Sequence, residues 1–168
     1  MSQTFEELAG KEVDGLFQGA LFLQAGDEVA AEDLLLWTLT KAFHVFRETG
    51  GGENPDQWLE GRLIHEFLAL LPKGDAVAQA GAFELENPPQ HVGSVDPGAL
   101  HEAAGRVPAR ARAALWLVVL RRWTYEEASA ALHTNTEDLK DLLRFRHTLM
   151  AAVLRPRNGR NGTDGRMS

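Results

Sequence analysis

The sequence predicts an all-α chain of two helical units joined by a flexible linker. Three observations carry this. Apolar residues recur at helical spacing in several stretches. Capping and stop signals bracket those stretches. Between them, Lys73 to Gly98 holds Gly74, Gly81, Pro88, Pro89, Gly93 and Pro97 with few periodic apolar residues, which is linker composition.

Phe5 to Ala25 reads as the first helix, with Phe5, Leu8, Val13, Leu16, Phe17, Ala20, Leu21 and Leu23 as its buried set and Gly26-Asp27 as a break. The second runs from about Asp27 to Arg47. Val29, Leu34, Leu35, Leu36, Trp37, Leu39, Ala42, Phe43, Val45 and Phe46 make it apolar on more than one side, so it is buried in a bundle or covered by a partner. Thr49-Gly50-Gly51-Gly52 ends it. The third starts near Pro55, a residue tolerated in a first turn, and runs to about Leu71 before Pro72. Its inner stripe is Trp58, Leu59, Leu63, Ile64, Phe67, Leu68 and Leu71. Residues 1–71 thus form one three-helix unit.

Residues 72–97 form the linker, with short helical turns expected around Ala76 to Ala82. As a slack chain of about 26 residues it reaches roughly 25–30 Å, so the two bodies it tethers are expected to engage sites far apart. The second unit spans 98–154. Its first helix lies within Val95 to Gly105, with Leu100 and Ala104 inward. An apolar helix from Ala109 to Leu120 then runs into Arg121-Arg122-Trp123. Thr124 opens a short helix to Leu132, and Glu127 three residues later completes a capping box. After the turn at His133-Thr134-Asn135, a longer helix begins near Thr136. Thr134, Asn135 or Thr136 caps it, and Glu137 and Asp138 occupy its first turn, where negative charge suits the dipole. Ala128, Ala131 and Leu132 face inward from the short helix, and Leu139, Leu142, Leu143, Leu149 and Val153 from the longer one. Two helices joined by so short a turn make a helix-turn-helix. Residues 155–168, rich in Gly, Asn and Arg, read as a disordered tail.

Several classes are excluded. No run approaches the roughly 18 apolar residues of a membrane span, so no membrane association is expected and a cytoplasmic location is the simplest reading. With no cysteine in 168 residues, disulfides and thiolate zinc sites are ruled out. The six histidines are scattered, and none pairs with another at ligand spacing beside a third donor. No Ser/His/Asp set, phosphate loop or pair of catalytic carboxylates is present. The chain reads as a non-enzyme without a cofactor or metal.

The net charge of −7 is unusual for a nucleic-acid binder, but it is unevenly shared. Residues 1–71 carry four bases against thirteen acids, and residues 98–157 carry ten bases against six acids. Phosphate contact supplies most non-specific DNA affinity. The C-terminal unit could therefore hold DNA, while the acidic N-terminal unit suits a protein with a basic surface.

Two blocks of residues resemble a known family. Arg106-Val107-Pro108-Ala109-Arg110-Ala111-Arg112-Ala113-Ala114-Leu115, then Trp123-Thr124-Tyr125-Glu126-Glu127-Ala128, then Leu139-Lys140 and Leu143, resemble region 4 of the extracytoplasmic-function (ECF) sigma factors. Gly26-Asp27-Glu28-Val29-Ala30-Ala31-Glu32-Asp33-Leu34-Leu35, with Thr38, Lys41, Ala42 and Phe43, is similar to region 2 of that family. Asn54-Pro55-Asp56-Gln57-Trp58-Leu59 is similar to its "pro-x-x-trp-leu" helix start. The matches occur in the family's order and cover most of residues 5 to 154.

The resemblance implies partners and roles. Glu32, Asp33, Leu36, Trp37 and Lys41 would dock on core RNA polymerase. The helix from Thr136 would enter the major groove of promoter DNA, with Lys140 and Arg144 nearest the bases and Arg146 and His147 as further donors. Arg110, Arg112, Arg121 and Arg122 would lie near phosphates. An anti-sigma factor is a further implied partner. The sequence departs from the family at contact positions: Leu36 and Trp37 stand where Gln and Glu are usual, the third helix lacks an arginine cluster, and Glu137, Asp138 and Asp141 replace small or hydroxyl residues. These departures imply an unusual promoter sequence or a partial loss of DNA opening, and the acidic N-terminal unit with its apolar Leu36-Trp37 face motivates a second reading, a sigma-like adaptor that binds a protein partner without promoter melting. A plain helix-turn-helix repressor would bind DNA without polymerase, and the C-terminal unit is weakly basic for that.

Overall fold

The computed structural model describes residues 3–71 and 97–154, and for residues 97 and 152–154 only the backbone. The expected linker turns and the tail lie outside the described residues. Among those described, the chain forms eight α-helices and one π-helical turn, with no strand. The helices are α1 (Phe5–Leu23), α2 (Glu28–Thr49), α3 (Pro55–Ala69), α4 (Pro97–Ala104), α5 (Ala109–Leu115), α6 (Tyr125–Ala131), α7 (Thr136–Leu143) and α8 (Arg146–Leu154); the π turn is Trp116–Leu120.

Local chemistry sets most boundaries. Thr4 caps α1 in a reciprocal box with Glu7, at 3.2 and 3.0 Å. Asp27 caps α2 by accepting from the Ala30 amide at 3.1 Å. Gly50, at φ 72°, ends α2 in the left-handed conformation and returns its N–H to the Phe46 carbonyl at 2.8 Å, a position that glycine occupies without a Cβ penalty. Asn54 caps α3 ahead of Pro55.

In the N-terminal half α1 packs on α2 and α3, and α2 on α3. Phe5 meets Phe43 and Phe46 of α2 with ring centroids 5.5 Å apart in each pair. In the C-terminal half α5 packs on α7, α6 on α7, and α4 on α8.

The expected linker lies outside the described residues, and the two halves on either side of it also touch each other. α1 packs against α4, α5 and the π turn, and α3 against α6. One core runs from Leu8, Leu63 and Phe67 through Phe22 and Trp116 to Ala111, Leu117 and Leu139. The reason lies at the end of α1. Gly19, Ala20, Leu21, Phe22 and Leu23 are all buried, so every side of the helix is covered there. A three-helix unit offers too few neighbours for that, and the C-terminal half supplies the rest. Removing one aromatic such as Phe22 from a core of this kind costs about 3–5 kcal/mol.

Two further boundaries differ from expectation. The helix from Ala109 is α-helical only to Leu115 and widens into the π turn. The second helix of the helix-turn-helix is two helices. The Arg144 and Phe145 amides reach back three residues, to Asp141 and Leu142 at 3.3 and 3.4 Å, which tightens the last turn and ends α7. Leu149 is buried from α8, which packs on α4.

Candidate nucleic-acid and protein interfaces

α6 and α7, separated by residues 132–135, stand where the helix-turn-helix is expected. Thr124 and Glu127 make the expected capping box, at 3.1 and 2.9 Å. The Glu127 carboxyl is held below its ordinary range, first by the Thr124 amide, then by the Gln57 side chain of α3 and the Thr124 hydroxyl. His133 turns the chain with φ 52°. Asn135 caps α7, accepting from the Asp138 amide at 2.7 Å.

Leu139 and Leu142 bury one face of α7, while Thr136, Glu137, Asp138, Lys140, Asp141 and Arg144 are exposed on the other. Arg146 and His147 are exposed at the start of α8. Lys140 pairs with Glu137 at 3.3 Å and Arg144 with Asp141 at 3.8 Å. Exposed pairs one helical turn apart are worth little, so a phosphate or base edge could displace either acid.

The four arginines expected near phosphates have different surroundings. Arg110 donates to the Leu132 carbonyl at 3.0 Å, bracing α5 against the turn after α6. Arg112 donates to the carbonyls of Leu23, Ala104 and Val107 at 2.9, 3.2 and 2.9 Å. Arg121 donates through Nε to Glu60 of α3 at 2.7 Å, with 43% of its side chain exposed. Arg122 is exposed and left-handed, at φ 59°. The structure therefore gathers Thr136, Lys140, Arg144, Arg146 and His147 along α7 and the start of α8, and ties Arg110, Arg112 and Arg121 into the packing of the chain.

On the opposite half, Glu32, Asp33, Leu36, Trp37 and Lys41 all lie exposed on α2. Leu36 is 68% and Trp37 50% exposed, and Val29, at 70%, extends the same face one turn further. Lys41 sits 4.6 Å from the centre of the Trp37 ring and 3.6 Å from Glu66. Glu66 is buried and also pairs with Arg62 at 3.2 Å. A buried carboxylate on α3 thus holds the lysine that covers the indole.

Two residues that matter here were not singled out from the sequence. Glu60 is buried and accepts from both Trp116 Nε1, at 3.1 Å, and Arg121. Its signal was an acid at helical spacing with the inner residues Leu63, Ile64 and Phe67. Gly19 was the other: a Cβ there would lie 2.9 Å from Trp116 Cζ2. An open groove of about 490 Å³ runs between α3 and α6, with Trp58, His65, Trp123 and His133 among its walls. Among the described residues no cluster of His, Asp and Glu could hold a metal ion, and no helix is long and apolar enough to cross a membrane.

No family model matches the chain, and no curated protein matches it. Its structure is similar to that of the sigma factor RpoE in complex with the anti-sigma factor NepR from Bartonella quintana, at 26% sequence identity and a TM-score of 0.67. The match covers 91% of this chain and 98% of that one. The all-helical architecture of the described residues is that of an ECF sigma-like fold.

Proposed function

We propose that the chain is an ECF-type sigma factor that binds core RNA polymerase and directs promoter-specific initiation. The observation that carries this is α7, which turns Thr136, Lys140 and Arg144 outward on a body with a sigma-like fold. On this reading α7 enters the major groove upstream, Lys140 and Arg144 donate to base edges, and Arg146, His147 and Arg122 contact the backbone. The α2 face of Val29, Glu32, Asp33, Leu36 and Trp37 docks on polymerase, its acids meeting a basic surface and its apolar side chains a hydrophobic patch.

One set of observations favours a second reading, a sigma-like adaptor that binds a protein partner without opening DNA. Glu60 and Glu66 occupy α3 with Arg62 as its single base, and the halves share one core. The similar sigma factor was solved on an anti-sigma factor, and such a factor is a proposed partner here too.

Reconstitution separates the two. The chain is mixed with core polymerase and a genomic DNA library, and new transcripts are mapped. A sigma factor yields new start sites and a salt-sensitive, promoter-specific gel shift that needs polymerase at physiological salt. Recovery of a single non-polymerase partner, with no start sites and no shift, would overturn the first reading in favour of the second.

A further inference from the structure

We propose that α7 reads cytosine through its acids: Glu137 and Asp141 accept from the exocyclic amines of two cytosines in the major groove, each beside a cation that donates to the paired guanine. The inference rests on the reading of α7 as the helix that enters promoter DNA, and it names the base sequence that helix takes.

The placement of the side chains puts the acids in front. Leu139 and Leu142 are buried and Leu143 is half-buried on one side of α7. At about 3.6 residues per turn, the direction opposite them falls on Glu137, flanked by Asp141 and Arg144, with Lys140 further round. Exposure agrees, since 81% of the Glu137 side chain is open against 56% of Lys140. The N-terminal residues of a helix lying in the major groove are those that meet base edges, so Glu137 and Asp141 would face bases and not the phosphates that repel them. Asp138 has another duty. Its amide donates to Asn135 Oδ1 at 2.7 Å, and its carboxylate accepts from the Asn135 side-chain amide at 3.1 Å.

Chemistry then selects the base. Guanine and thymine show the groove acceptors, and the adenine amine stands between its own N7 and thymine O4. A carboxylate meets like partial charge on each of these. Cytosine offers an amine donor and no acceptor of its own. In a C·G pair that amine lies about 2.9 Å from guanine O6. Glu137 and Lys140 hold an acceptor and a donor 3.3 Å apart, and Asp141 and Arg144 hold theirs 3.8 Å apart. Each couple therefore matches one C·G edge, with the acid on N4 and the cation on O6, and neither charge loses its partner. Both cations lie on the same side of their acids, so both cytosines belong to one strand. Glu137 and Asp141 are about 6 Å apart along the helix axis, which spans one or two base-pair steps of about 3.4 Å.

The test uses the full chain with core polymerase and a promoter library randomised over the upstream element. Retained duplexes are sequenced for the parent, Glu137→Ala, Asp141→Ala and Asp141→Asn, and thermal melting confirms that each variant folds. The parent is expected to enrich cytosine at two positions of one strand, one or two pairs apart, about fivefold or more over other bases. Each alanine variant is expected to lose the preference at one position and keep it at the other. Asp141→Asn is expected to move its preference from cytosine to adenine, whose N6 and N7 suit an amide. Enrichment without cytosine at such positions would overturn the acid readout alone. So would alanine variants that hold every duplex more tightly with unchanged base preference, because the acids would then only repel DNA. If the parent with polymerase enriches no sequence, the sigma-factor reading fails and the readout falls with it.

Discussion

Three carbonyl oxygens, from Leu23, Ala104 and Val107, converge on the Arg112 guanidinium. Arginine's planar fork can serve several acceptors at once, and lysine's ammonium cannot match that geometry. Nothing near Arg112 in the sequence announces this, because one acceptor lies 89 residues away. A cation amid alanines reads equally well as solvated or phosphate-facing. Gly19 is silent in the same way: in a helix a glycine reads as a weak residue, and its purpose is visible only with Trp116 in place. Gly19→Ala sets two effects against each other. It gains up to about 1 kcal/mol in helix propensity and loses about 1–3 kcal/mol by overpacking the indole. A net loss is expected because the Cβ would meet a ring wedged in the core at 2.9 Å. Chemical denaturation should show a lower midpoint with an unchanged slope.

The starts of α6 and α7 were legible because caps are local: Thr124 with Glu127, and Asn135 with the Asp138 amide, each act within three residues. The break after Leu143 and the π turn were not legible, since neither contains Gly or Pro and both are set by packing against distant helices. The α6 cap makes a pH prediction. The Glu127 carboxyl is depressed in the folded chain. Its contribution is therefore present above the ordinary carboxylate pKa and lost as pH falls through the depressed folded value. Thr124→Ala should cost about 1 kcal/mol at neutral pH, and the gap between variant and parent should narrow on acidification, as thermal melts over a pH series would record. On α7, Lys140→Ala and Arg144→Ala should each weaken the polymerase–promoter complex by about 1–3 kcal/mol if they reach base edges. A gel shift over a salt series checks this: a base contact relaxes specificity at one position, whereas a phosphate contact lowers the salt slope by about one.

At the scale of the molecule, each half was legible and their union was not. Periodicity reports which face of a helix is buried, not what buries it, and the covered end of α1 needed partners from beyond the linker. The outer face of α2 is the converse case: its apolar circumference implied a bundle or a partner, and Val29, Leu36 and Trp37 remain exposed in the folded chain. Exchange of Leu36 for Asp together with Trp37→Ala should leave melting nearly unchanged and weaken retention on immobilised core polymerase about tenfold or more, because exposed aromatic anchors dominate such contacts. Equal retention by parent and variant would place the docking surface elsewhere. The π turn, finally, has a bearing on ancestry. A turn of this kind behaves as a single residue inserted into an α-helix. A chain of this fold that never acquired the turn should be one residue shorter between its counterparts of Leu115 and Trp123, so a one-position gap in a sequence alignment would record when the turn arose.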